Sequence, residues 1–124
     1  MHVLICGSRR CGKTKEMLDL ISSLPEDAIV VTGGADGADR WANKMAGERG
    51  LATKVFPAQW VKYGRSAGYR RNVQMLEETF PEQVYCFFVS GAENKGTQMM
   101  FNLATDFAKQ SGLEVVIKKY EIGY

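Results

Sequence analysis

The chain has 124 residues, with 16 Lys and Arg against 14 Asp and Glu and a net charge of +2. That length suits a single domain, 1–124, able to bury its own core, and so balanced a charge carries no strong nucleic-acid or membrane footprint beyond a local basic cluster. Three cysteines, Cys6, Cys11 and Cys86, show neither CxxC nor zinc spacing, which fits a reduced, cytoplasmic chain with no metal and no cofactor. No stretch approaches the roughly 20 apolar residues of a membrane span, and the apolar run at Val3–Cys6 is far too short for a signal peptide.

His2–Cys6 is a compact apolar run followed by Gly7-Ser8, the pattern of a buried parallel strand. From Thr14 the residues Met17, Leu18, Ile21 and Leu24 recur at helical spacing until Pro25. Ala28–Thr32 reads as a second buried strand ending in GGADGAD. Ala38, Trp41, Ala42, Met45 and Ala46 then form one helical face, ending near Gly50, with Trp41 in the core. Thr53–Phe56 is a third short strand, closed by Pro57. The segment Pro57–Asn72 has no clean period and reads as irregular, while Tyr69, Val73, Leu76 and Phe80 restore helical spacing up to Pro81. Val84–Val89 is the most apolar strand and is expected at the centre. Met100, Leu103, Ala104 and Phe107 mark a last helix stopped by Gly112, and Glu114–Lys118 a final strand.

Strand and helix signals in alternation predict an α/β fold, a Rossmann-like doubly wound parallel sheet of about five strands with helices on both faces. Right-handed crossovers bring the C-terminal ends of all strands to one edge, where doubly wound sheets bind ligands. Gly7-Ser8-Arg9, Gly33-Gly34-Ala35-Asp36, the Pro57–Asn72 segment and Ser90–Thr97 should line it. Three of these are glycine turns entering helices, whose free N–H groups and dipoles favour phosphate. Residues Gly7–Thr14 also match the P-loop pattern of a glycine, four residues and Gly-Lys-Thr. Neither apolar strand expected to follow ends on the acidic residue that a P-loop enzyme uses toward magnesium, so a P-loop NTPase is the weaker reading.

GSRR, VVTGGADGADRWANKMA, FPAQWVKYGRSAGYRRNVQM and GAENKGT together resemble the SLOG superfamily, in its YspA-like, cpYpsA-related branch, over about residues 1–118. The resemblance implies a Rossmann-like domain that binds a nucleotide or nucleotide-derived molecule, as a sensor or binding module. Its Lonely Guy relatives cleave nucleoside monophosphates at the N-glycosidic bond, which makes a hydrolase the alternative. It also implies ligand contacts at Gly7, Ser8 and Arg9, at Gly33, Gly34, Ala35 and Asp36, and at Gly91, Gly96 and Thr97. Trp60, Arg65, Arg71 and Asn72 belong to the most specific block, and Arg71 is similar to an active-site arginine of the hydrolases. Where those hydrolases carry a catalytic glutamate this chain has Met100, which can act as neither acid nor base. Glu93 is the nearby substitute. Trp60 and Tyr63 can stack on a base or pack their loop. A homodimer is plausible, and no membrane or nucleic-acid partner is expected.

Overall fold

In a computed structural model, residues 1–123 are described. Their strands are β1 His2–Gly7, β2 Ile29–Thr32, β3 Ala52–Val55, β4 Gln83–Val89 and β5 Val116–Ile122; their helices are α1 Lys15–Ser23, α2 Ala38–Glu48, α3 Trp60–Tyr63, α4 Ala67–Thr79 and α5 Lys95–Ser111. The five strands form one sheet in the order β3-β2-β1-β4-β5. Every pairing in it is parallel.

Alternation within the strands builds the two layers. Val3 and Ile5 of β1 and Tyr85, Phe87 and Val89 of β4 face α1 and α2, packing with Met17, Ile21, Ala42 and Ala46. Leu4 and Cys6, with Val84, Cys86 and Phe88, face α4 and α5 and meet Met75, Leu76, Met100 and Ala104. Past their first residues β1 and β4 are therefore apolar on both faces, as a sheet covered on two sides requires. The chain steps outward from β1 through β2 to β3, then returns to β4 on the other side of β1. That reversal places the topological switch point between the ends of β1 and β4.

Several elements differ in extent from the sequence pattern. Leu18 and Tyr69 fall at core spacing yet are 46% and 51% exposed, because each sits at the margin of its helix's buried stripe. Trp41 lies partly buried against the core, with the Lys44 ammonium 5.3 Å from its ring centre. Phe80 is no longer helical. It caps α4 at φ 45°, 53% exposed, with its ring 5.4 Å from that of Phe107. The segment expected to be irregular holds α3 and a 3₁₀ turn over Gly64–Ser66, and α4 begins at Ala67. Strand β5 starts two residues later than expected and runs to Ile122, where Tyr120 stacks on Phe87 at 4.5 Å. No helix among the described residues is long and apolar enough to cross a membrane.

Candidate functional site

At the switch point the C-terminal ends of the strands open into a cleft of about 970 Å³. Its walls come from the loops after β1, β2 and β4 and from α3, α4 and the first turn of α5. Of the residues singled out in the sequence, Gly7, Ser8, Arg9, Ala35, Trp60, Arg65, Arg71, Asn72, Gly91, Gly96 and Thr97 line it. Gly33, Gly34 and Asp36 do not. Asp36 is exposed and turned toward Arg40 at 3.6 Å, while Gly33 stands one layer behind the wall.

The first turn is a hub centred on Ser8. Its N–H donates to Phe87 O at 2.9 Å, its carbonyl accepts from Cys11 N and Ala38 N, and its hydroxyl accepts from Arg10 N at 3.1 Å. Arg9 and Arg10 are exposed at the cleft mouth. Gly7 is needed for close approach, since a Cβ there would lie 2.6 Å from both Ala38 Cβ and Phe87 O. The remainder of the P-loop pattern leaves the cleft. Lys13 is exposed outside the lining, and the Thr14 hydroxyl caps α1 by accepting from Met17 N at 3.2 Å. Cys11, beside that helix start, is buried in the core.

The second turn is filled from within the protein. Asp39, in the first turn of α2 and 4% exposed, accepts from Gly33 N at 3.1 Å and Ala35 N at 3.3 Å, both through Oδ2. A carboxylate of the chain thus already occupies N–H groups that the glycine pattern offers to phosphate. From the opposite side the Arg71 guanidinium donates through Nη1 to Gly33 O at 2.7 Å and through Nε to Asn72 Oδ1 at 2.9 Å. The Gly33 peptide is clasped between them. A Cβ on Gly33 would run into the Arg71 guanidinium, so glycine is what lets the arginine come this close.

Burial pushes the Asp39 carboxyl up to about 6, against the pull of the Ala35 N–H, the Arg71 charge and the Gly33 N–H. Burial likewise lowers Arg71 below the ordinary arginine value, Asp39 opposing and Arg9 adding to the fall. Because the folded pKa lies above the unfolded one, folding retains a proton between about pH 4 and 6, and Asp39 contributes less stability as pH rises through that window. Asp39→Asn keeps an oxygen for the two N–H groups and removes the buried charge. We expect it to stabilise the protein at pH 7.5 by up to about 3 kcal/mol and to leave it unchanged near pH 4. Urea midpoints at the two pH values check this, and equal effects at both would contradict it.

The third turn leaves a helix end open. Asn94, at the N-cap of α5, does not cap it. Its side chain accepts from Val89 N at 3.1 Å and donates to Val89 O at 3.0 Å and Ala92 O at 3.1 Å, fastening the 90–94 loop. Among the described residues no side chain caps the first N–H groups of this 17-residue helix, whose first turn lines the cleft through Lys95, Gly96 and Thr97. Thr97 is 4% exposed, and among the described residues no group bonds its hydroxyl. Among the described residues the lining carries five cationic side chains, those of Arg9, Arg10, Arg65, Arg71 and Lys95, and two carboxylates, those of Asp39 and Glu93. Glu93 is itself 3.8 Å from Lys95. A cleft with that balance attracts anions.

The rest of the wall is apolar or aromatic. Met75 and Met100, each 1% exposed, and Cys6 form the floor. The Cys6 thiol lies 3.4 Å from the Cys86 sulfur, which with burial raises its pKa well above the ordinary thiol range. Trp60, 53% exposed, stands at the rim over Gly68 beside Tyr69. Tyr63 lies off the cleft, held between the Lys62 and Arg70 cations. Sequence reasoning missed Asp39 and Asn94. The signal for Asp39 was its place one residue into a helix that follows a glycine turn, where a carboxylate meets free loop N–H groups.

A family model described as the YspA, cpYpsA-related SLOG family matches residues 1–63. That span takes in β1 through α3, with the first two turns, Asp39 and Trp60. The chain is also similar to the Gene 61 protein of Mycobacterium phage D29, at 36% identity over 84 residues, which covers 60% of this chain and 67% of that protein. No solved structure matches it.

Proposed function

The chain belongs to the YspA, cpYpsA-related SLOG family, and on that premise we propose that it binds a nucleotide or nucleotide-derived small molecule in the switch-point cleft, as a sensor or binding module. The observation that carries this reading is the start of α5, a long helix whose N-terminus has no side-chain cap and opens beside Thr97 in a cleft rich in arginine. Free N–H groups, a helix dipole and guanidinium forks are the combination that holds phosphate in a fixed place. The phosphate rests on Gly96, Thr97 and Arg9. The base stacks on Trp60 and Tyr69, whose rings are half exposed at the rim and gain apolar cover when a planar ring lies on them.

Binding without turnover is favoured by the cleft floor. Met100, at the place where N-glycosidic hydrolases of the Lonely Guy type have a glutamate, is buried in the core cluster and supplies no proton. Incubation with nucleoside monophosphates followed by chromatography should return them intact. Release of free base that disappears in Arg71→Ala would replace this reading with hydrolysis. The P-loop alternative requires Lys13, so Lys13→Ala should leave ADP affinity within about twofold, since an exposed lysine outside the lining adds little. Loss of magnesium-dependent binding in that variant would revive it.

A further inference from the structure

Two polar side chains of the cleft are nearly buried and incompletely used. Asp39, 4% exposed, spends only Oδ2 on the protein, and no donor among the described residues reaches Oδ1, which is not sealed from solvent. Asn72, 5% exposed, accepts through Oδ1 from Arg71 Nε at 2.9 Å. That bond fixes the orientation of its amide, because an N–H can bond only to the oxygen. The Asn72 Nδ2 is thereby turned away from Arg71, and it makes no hydrogen bond to any of the described residues. Both residues line the cleft, and Arg71 lies between them, bonded to Asn72 directly and to the Asp39-held peptide through Gly33 O.

An acceptor and a donor of this kind, on side chains nearly buried in the cleft wall, recognise a group that both donates and accepts. A phosphate does not fit, since a carboxylate oxygen would face its charge. An aliphatic hydroxyl does. The phosphate and the base already have better places, at the α5 N-terminus and at the exposed Trp60 and Tyr69 rings, so the part of the ligand left for this pair is the sugar. We propose that Asp39 Oδ1 and Asn72 Nδ2 bind the sugar hydroxyls of the nucleotide, so that the cleft discriminates against nucleotides lacking the 2′- or the 3′-hydroxyl. Asp39 Oδ1 accepts from one hydroxyl, and Asn72 donates to it or to its neighbour. The inference rests on the nucleotide reading above and assigns that site its sugar specificity.

Two substitutions isolate these atoms. In Asp39→Asn the single amide oxygen is claimed by Gly33 N and Ala35 N, so an NH₂ replaces the acceptor that faces the cleft while the loop stays clasped. In Asn72→Asp the oxygen bonded by Arg71 is kept and the Nδ2 donor becomes an acceptor. Calorimetric titration of ADP, 2′-deoxy-ADP and 3′-deoxy-ADP into wild type should show at least one deoxy analogue bound about tenfold or more weakly than ADP, the size of one lost hydrogen bond from a desolvated site. The discrimination should fall below about twofold in Asp39→Asn and shrink in Asn72→Asp, by the same hydrogen-bond argument. Three equal affinities in wild type, or discrimination unchanged in Asp39→Asn, would overturn the sugar assignment while leaving nucleotide binding intact. Discrimination between ADP and GDP that is lost in Asp39→Asn, with no deoxy effect, would reassign the pair to a base edge. Binding by none of these nucleotides would overturn the functional reading and this inference together.

Discussion

Gly37→Ala should lower the thermal midpoint by roughly 10 °C or more, corresponding to about 3 kcal/mol or above from the sum of backbone strain and overpacking. Gly37 precedes α2 at φ 82° and ψ −128°, a region that L side chains rarely enter. It also lies directly against the first turn. A Cβ there would collide with Ser8 O and sit 2.6 Å from Arg9 Cα, both backbone atoms that cannot swing aside. Relief would require the 33–37 loop to withdraw from Ser8, breaking the Ala38 N to Ser8 O bond at 3.2 Å. The control is Gly47→Ala in the same helix. That glycine has ordinary helical φ and open space where a methyl would go, so alanine should stabilise by about 0.5–1 kcal/mol. A differential-scanning comparison of the two variants reads both effects at once, and a Gly37→Ala midpoint within about 2 °C of wild type would refute the close packing of the two turns.

Arg71→Ala should weaken ADP binding by about 10- to 100-fold, the worth of a charge-assisted, partly buried guanidinium contact. The arginine does two tasks. Through Nη1 and Nε it holds Gly33 O and orients Asn72, and its remaining edge and charge face the cleft beside Arg9. Lysine can replace the charge but not the fork, since one ammonium cannot stand in the planes of both acceptors. Arg71→Lys should therefore recover only part of the affinity. Full recovery in a calorimetric titration would mean that charge alone matters, and the clasp geometry would lose its functional meaning.

The fold was legible because its signals are repeated and local. Strands β1, β2 and β4 are short apolar runs leading into glycine turns, and each long helix shows its buried stripe, so the alternation itself dictates a parallel sheet with a switch point. Elements too short to display a period were not legible, and α3, with four residues, is the case in point. Residues 119–122 of β5 carry no strand signal of their own for a related reason. Strand β5 lies at the sheet edge with most residues exposed, so it lacks the continuous apolar run of an inner strand.

The site was legible as a set of loops and not as a set of partners. Gly33 was read as a phosphate-facing glycine, whereas its neighbours show a peptide gripped by Asp39 and Arg71, residues six and 38 positions away. No local pattern announces that pairing, because it exists only once α2 and α4 have docked on opposite faces of the sheet. Asn94 illustrates the converse. An asparagine before a helix signals a cap, yet its amide is drawn back to Val89 and Ala92, and the helix end stays open for a ligand. Within the glycine motif Asp36 drew attention by standing next to the turn. Asp39, three residues on, is the one the fold buries.

Nucleotide binding in the switch-point cleft is measured by a thermal-shift series with adenosine, guanosine, cytidine and uridine mono- and diphosphates and ADP-ribose, run on wild type and on Arg71→Ala. A ligand present at 100 times its dissociation constant stabilises the native state by about 2.7 kcal/mol, a rise of several degrees in the midpoint for a chain of this size. At least one nucleotide should produce such a rise in wild type, and a much smaller one in Arg71→Ala. A midpoint unmoved by every nucleotide, or an identical shift in both proteins, would contradict binding in this cleft.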